Sequence, residues 1–243
     1  MVLQRWAKML PKAVCFIADA ARGSEWRTER RLCADLVRFG KMLHSQELVG
    51  GTDGNLSVRL DSHRIMITPT GVSKGLLEAK GMVVVNMEGR RISGTRDAST
   101  ELGMHLTIYA LRPSVHAIVH AHPCTATAFA SAGILLDEAL CSEIVMSLGA
   151  VPLARYATPG SPDIGRVLEP YIREHDAILM ANHGVVTYGN SLLQAYLNME
   201  SVEHFAKIML ATKQIGRRRL LSPADVQELQ EARTRYRSNA ERV

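Results

Sequence analysis

At 243 residues and 47% apolar content, the chain is long enough for one large domain with a full core. Its formal charge of +5 is mild, its basic cluster is Lys213, Arg217, Arg218 and Arg219, and 5% aromatics without interleaving argue against a nucleic-acid surface. No stretch reaches the roughly twenty apolar residues of a membrane span, and Cys15, Cys33, Cys124 and Cys141 lack CxxC spacing, as in a reduced, cytoplasmic protein.

Residues 1–24 read as an N-terminal extension, and 25–243 as a single domain. Pro11, Lys12 and Asp19 interrupt the apolar run around Ala13 to Ala21, which argues against a signal peptide. Glu25 to Glu47 reads as a helix with Leu32, Leu36, Phe39 and Leu43 on one face, stopped by Gly50-Gly51. Asn55 to Leu60 and Arg64 to Thr68 form a strand pair across Asp61-Ser62-His63. Met82 to Met87 is a further strand, turning through Glu88-Gly89-Arg90 into Arg91-Ile92-Ser93. Ser99 is the expected cap of a helix from Thr100 to Leu111, with Pro113 past its end. Then come a strand at Val115 to His122, a short helix at Cys124 to Ala132 and a strand at Ala150 to Leu153. A helix at Ile164 to Glu174, a strand at Ala177 to Ala181 and a long helix at Ser191 to Thr212 complete the series. These elements describe a central sheet with helices on its flanks.

Alternation along the Val115 to His122 strand puts His116, Ile118, His120 and His122 on one face. Histidines two apart on a strand lie about 7 Å from each other at Cα and can reach a single cation. With His183, inside Asn182-His183-Gly184, they offer three neutral nitrogens and leave a fourth position open. That is the pattern of a catalytic zinc site. Taken alone, the pair fits ordinary strand histidines equally well. Three further segments carry hydroxyls, small residues and free backbone N–H groups at element ends: Gly54 to Arg59, Ile67 to Gly71, and Ala98 to Glu101. Such groups suit a phosphate dianion.

The motifs GNLSVR, ITPTG, STE followed by Met104-His105, HAH and NHG stand in this order between about Trp26 and Thr212. On them the chain resembles the class II aldolase/adducin family, in its fuculose-1-phosphate aldolase branch. The resemblance implies a three-layer α/β fold, with a central, mostly antiparallel sheet flanked by helices. It also implies a fourfold homotetramer with sites between subunits, and one zinc ion held by His120, His122 and His183. It places the catalytic acid/base at Glu101, and phosphate binding at Gly54, Asn55, Thr70, Gly71, Ser99 and Thr100.

The implied reaction is reversible cleavage of a ketose 1-phosphate into dihydroxyacetone phosphate and a short aldehyde, through an enediolate whose oxygen the cation stabilises. A same-fold dehydratase, decarboxylase or 4-epimerase is the alternative. An aspartate at position 101 would mark the epimerase branch, and Glu101 argues against it. A non-catalytic scaffold of the adducin kind would be expected to lose metal ligands, and this chain keeps all three.

The chain departs from the aldolase pattern in two places. Leu102-Gly103 stands where the known aldolases have tryptophan-arginine, and Leu140-Cys141-Ser142-Glu143 has no tyrosine to donate a proton to the aldehyde oxygen. Tyr236 is the candidate for a second, C-terminal tyrosine. Four other features read as structural. His105, one turn after Glu101, is within reach to orient it but reads first as a satisfied core histidine, and His116 is a strand residue. Glu200, Glu203 and His204 form a solvated or interface face, and Lys74 is a surface lysine beside the phosphate loop.

Overall fold

A computed structural model describes the backbone of residues 12–240 and the side chains of 28–232. Helix α1 (Lys12–Ser45) runs unbroken across position 24, so it begins well before the expected Glu25. Its residues Leu36, Phe39 and Leu43 recur every three to four positions and are fully buried against the sheet. Residues 1–11 of the expected extension lie outside the described residues.

The sheet has eight strands in the order β4-β3-β2-β1-β5-β8-β7-β6. They are β1 (Asn55–Arg59), β2 (Arg64–Ile67), β3 (Val83–Asn86), β4 (Arg91–Ser93), β5 (Ala117–Ala121), β6 (Leu153–Ala154), β7 (Ala177–Met180) and β8 (Gly184–Gly189). Every pairing is antiparallel except β6 with β7. The resemblance implied this mostly antiparallel sheet. Strand β8 was not expected as a separate element. It is a short run between Gly184 and Gly189, and its pairing with β5 and β7 places it inside the sheet.

Period-two alternation builds the two outer layers. Leu56, Val58, Val119 and Val185 face one core, with α1, α3 (Cys124–Ser131) and α6 (Leu192–Ile215). Ile65, Ile118, Val186 and Tyr188 face the other, with α2 (Leu102–Leu111) and α5 (Asp163–Ile172). The chain also has α4 (Ser142–Ser147), which occupies the region aligned with the aldolase tyrosine, and α7 (Pro223–Ala240). Tyr236 falls in α7, where side chains are outside the described residues.

Helix α2 begins at Leu102, two residues later than expected. Ser99 does not cap it in the ordinary way; its Oγ accepts from Glu101 N at 3.3 Å, and Leu102 N donates to Ser99 O at 3.0 Å. Glu101 itself takes the position ahead of the helix and stands at its positive end. No helix among the described residues is long and apolar enough to cross a membrane.

Candidate metal centre

Register brings the site together. In the β1–β5 ladder Asn55 stands opposite His120, and in the β5–β8 ladder His120 stands opposite Val186. Ile118 and His120 therefore point toward the α2 side of the sheet, where Glu101 waits at the helix start. His122 follows the end of β5. His183 sits in the tight β7–β8 turn, where Asn182 takes a left-handed φ of 54° that asparagine tolerates better than most side chains.

One ring nitrogen from each of His120, His122 and His183 lies within 4.8 Å of the others. His120 is completely buried, and its Nδ1–H donates to Val185 O at 2.8 Å. That bond fixes the tautomer and turns the Nε2 lone pair into the cluster. His122 Nε2 approaches His120 Nε2 to 3.0 Å. Two imidazole nitrogens that close need a proton or a cation between them. On the outer side, Asp53 Oδ2 lies 3.4 Å from His122 Nδ1.

Glu101 spans the inner wall of the cluster. Its Oε2 lies 3.1 Å from His120 Nε2, and its Oε1 lies 3.2 Å from His183 Nε2. Asn55 Nδ2 donates to Oε2 at 2.8 Å. Glu101 Oε1 and His183 Nδ1 are both buried without a hydrogen bond, so the wall carries unspent polar capacity. Burial would raise the Glu101 pKa, but the charge and hydrogen bond of His120, with help from His183 and Asn55, hold it below the usual carboxylate range. Burial pushes the His183 ring down to about 4, and the His120 charge acts the same way. His122 is lowered by the same two causes. In His120, burial is outweighed by Glu101, and the pKa rises. Convergent nitrogens, a tautomer-fixing carbonyl and an adjacent carboxylate fit a divalent cation with open coordination.

A class II aldolase and adducin N-terminal domain model matches residues 34–210. The chain belongs to the class II aldolase and adducin family. It is 36% identical over 199 residues to a 3-oxo-tetronate 4-phosphate decarboxylase of Haemophilus influenzae, covering 80% of this chain and 94% of that protein. It is 32% identical over 177 residues to an L-fuculose phosphate aldolase of Methanococcus maripaludis, covering 72% and 93%. A solved L-fuculose 1-phosphate aldolase superposes with a TM-score of 0.78 at 32% identity, covering 83% of this chain and 95% of that one.

The three segments expected to bind phosphate in this class II aldolase-family chain are hydrogen-bonded to one another. Leu56 N donates to Thr68 Oγ1 at 3.1 Å, tying the Gly54-Asn55 segment to the strand that leads to Thr70 and Gly71. Thr70 N donates to Asp97 O at 3.1 Å, and Ser99 N to Thr68 O at 3.2 Å, which adds Ser99 and Thr100. Asn55 and Ser99 are buried, whereas Thr70, Gly71 and Thr100 are exposed. Gly54 (φ +74°) and Gly71 (φ +66°) hold left-handed turns; at Gly54 a Cβ would also stand 2.7 Å from His120 O.

Lys74 and Glu203 depart from the sequence reading. Lys74 is only 1% exposed rather than a surface lysine. Its Nζ donates to Thr52 O at 3.0 Å and Val72 O at 2.6 Å, which bolts the Gly50–Gly54 turn to the Thr70–Gly71 turn. Burial pushes its amine down to about 8, with Asp53 opposing. Glu203 is buried rather than solvated; Thr125 N and Ala126 N donate to it at 3.2 and 2.9 Å, at the start of α3 just beyond His122. His116 is exposed and apart from the cluster, as the structural reading held, and His204 is exposed too. Asp53 and Gly184 were not singled out. Gly184 lies inside the NHG motif and Asp53 directly precedes GNLSVR, but their approach to His122 depends on strand register.

Proposed function

We propose that this class II aldolase-family protein is a metal-dependent lyase that decarboxylates a 3-oxo sugar-acid phosphate of the 3-oxo-tetronate 4-phosphate type. The observation that carries this reading is the Glu101 carboxylate, seated against His120 and His183 of the three-histidine cluster. His120, His122 and His183 are the proposed ligands, and zinc is the proposed ion, because three neutral imidazoles with an open position suit it best. When bound, such an ion supplies Lewis acidity to a carbonyl oxygen on which negative charge develops.

The chain's own groups then have separable tasks. The side chains of Asn55, Thr70, Ser99 and Thr100, with the backbone at Gly54 and Gly71, are proposed to hold the phosphate dianion, fixing the reacting carbons relative to Glu101. Loss of carbon dioxide from C1 leaves its electron pair in an enediolate across C2 and C3. C2 takes one proton that originates in solvent: Glu101, ionised at rest, relays it from a water molecule to the carbon, the hydroxide left behind is taken up by the carbon dioxide as bicarbonate, and dihydroxyacetone phosphate is the product.

Aldol cleavage of a ketose 1-phosphate is the second reading, supported by the likeness to fuculose phosphate aldolases. It passes through the same enediolate, with an aldehyde leaving in place of carbon dioxide. Release of the aldehyde also requires a proton to leave its hydroxyl oxygen, and the region Leu140 to Glu143 has no tyrosine to take it. Carbon dioxide departs without any such transfer, so this departure favours decarboxylation. A homotetramer with sites at subunit interfaces, a single domain over residues 25–243 and a cytoplasmic location complete the proposal.

The test compares two substrates on one zinc-loaded preparation. Release of carbon dioxide and dihydroxyacetone phosphate from 3-oxo-tetronate 4-phosphate is expected at a kcat/KM at least about tenfold above aldehyde release from L-fuculose 1-phosphate. The reverse ranking would give the aldolase reading.

A further inference from the structure

Beneath Glu101 runs a buried polar chain that metal binding does not require. Asn55 Nδ2 bonds Glu101 Oε2 at 2.8 Å, and Asn55 Oδ1 meets His105 Nε2. His105 Nδ1 meets Ser57 Oγ at 2.6 Å, and Ser57 Oγ meets Tyr109 Oη at 2.9 Å. Asn55, Ser57, His105 and Tyr109 are each at most 3% exposed. The spacing explains the assembly. Glu101, His105 and Tyr109 recur every four residues along α2 and its N-terminal turn, and Asn55 and Ser57 share one face of β1.

The direction of every proton in this chain follows from how the Asn55 amide is turned, with its NH2 toward Glu101 Oε2 and its oxygen toward His105 Nε2. An amide oxygen only accepts, so His105 must carry its proton on Nε2. Nδ1 is then an acceptor, Ser57 O–H donates to it, and Tyr109 O–H donates to Ser57. In the flipped arrangement the amide oxygen would face the carboxylate, acceptor against acceptor, in a buried site. Burial pushes the His105 ring down to about 3, with the His120 charge assisting and Glu101 opposing, so a neutral ring with one donor nitrogen suits the site.

We propose that His105 is a positioning residue. Its Nε2–H locks the Asn55 amide so that one Nδ2–H aims the Glu101 carboxylate while the other stays free for substrate. Ser57 and Tyr109 set the tautomer from behind. The catalytic part of this inference rests on Glu101 as the proton-transfer group, whereas the hydrogen-bond directions stand on geometry alone.

Two measurements separate these layers. Long-range proton–nitrogen spectra of the histidine rings in the zinc-loaded protein should give His105 as the Nε2–H tautomer, whatever the substrate proves to be. An Nδ1–H ring would overturn the proposal. His105→Leu should lower kcat roughly ten- to a hundredfold while zinc stoichiometry is kept. His105→Gln, which restores an N–H donor toward Asn55, should recover most of that loss. Wild-type kcat in a zinc-replete His105→Leu protein would also overturn it. If His105→Leu does not fold, the tautomer assignment decides the proposal. Wild-type protein inactive on every substrate tried, with the Nε2–H tautomer present, would count against the reaction assigned above and leave the lock in place.

Discussion

Gly184 gives His122 its room: a Cβ on this glycine would stand 2.5 Å from His122 Cδ2 and 2.7 Å from Ala121 O. The close approach comes from the β7–β8 turn, which folds His183 and Gly184 back beside the end of β5. One short turn therefore supplies one ring of the cluster and the space for a second.

Gly184→Ala should fold, because Gly184 lies at the start of a buried strand whose other residues hold the sheet. The added methyl must displace both the His122 ring and the Ala121 carbonyl, at a cost of about 1–3 kcal/mol. Zinc affinity, measured by competition with a chromophoric chelator, should fall at least about tenfold, since 1.4 kcal/mol is a factor of ten. Unchanged affinity would mean that His122 is not held where the cluster needs it.

His122→Ala and His183→Ala should each lose stoichiometric zinc on dialysis, read by elemental analysis. His116→Ala should keep it, because His116 is exposed and its ring nitrogen faces Ser114 O at 3.1 Å, away from the cluster. Zinc retained in both cluster variants would break the ligand assignment.

Glu203→Ala removes the acceptor for Thr125 N and Ala126 N at the start of α3. One buried and one half-buried backbone donor then lose their partner, so unfolding free energy should drop by about 1–3 kcal/mol in urea titrations. The turn carrying His122 directly precedes that helix start, so zinc affinity should weaken as well. A loss of stability with zinc affinity untouched would limit Glu203 to holding the helix.

Acid should destabilise the apoprotein from about pH 6.5 downward. The folded pKa of His105 is pushed to about 3 and that of His183 to about 4, both below their ordinary value. The unfolded chain therefore binds more protons than the native one in that window. Stability present above pH 6.5 is lost as pH falls toward these folded values, with a slope of up to about 1.4 kcal/mol per pH unit from each ring. Urea midpoints between pH 7 and 4 should show this, and His105→Gln should flatten the slope. An unchanged slope would contradict the buried neutral ring.

Much of this was legible in the sequence because local patterns carry it. The alternation around His120 put that residue on one strand face with Ile118, and the five motifs supplied the family and the layer architecture. What was not legible depends on partners distant in the chain. Lys74 reads as a surface lysine until the Gly50–Gly54 turn supplies Thr52 O and folds over it. Glu203 looks like one charge on a polar helical face until α3 points its first N–H groups at it. His105 reads as a core histidine, and it is one; register with Asn55 and Ser57 is what makes it part of the site. Strand β8 escaped because its six residues are framed by glycines and sit between a turn and a long helix.

The most direct test of the central claim follows the proton that Glu101 is proposed to deliver. Zinc-loaded protein would be given 3-oxo-tetronate 4-phosphate in heavy water, and the dihydroxyacetone phosphate formed would be read by NMR. One deuterium, placed stereospecifically at the hydroxymethyl carbon, is the predicted result, with product formation lost in a zinc-replete Glu101→Gln protein. Racemic deuterium, or undiminished stereospecific turnover in Glu101→Gln, would contradict the account.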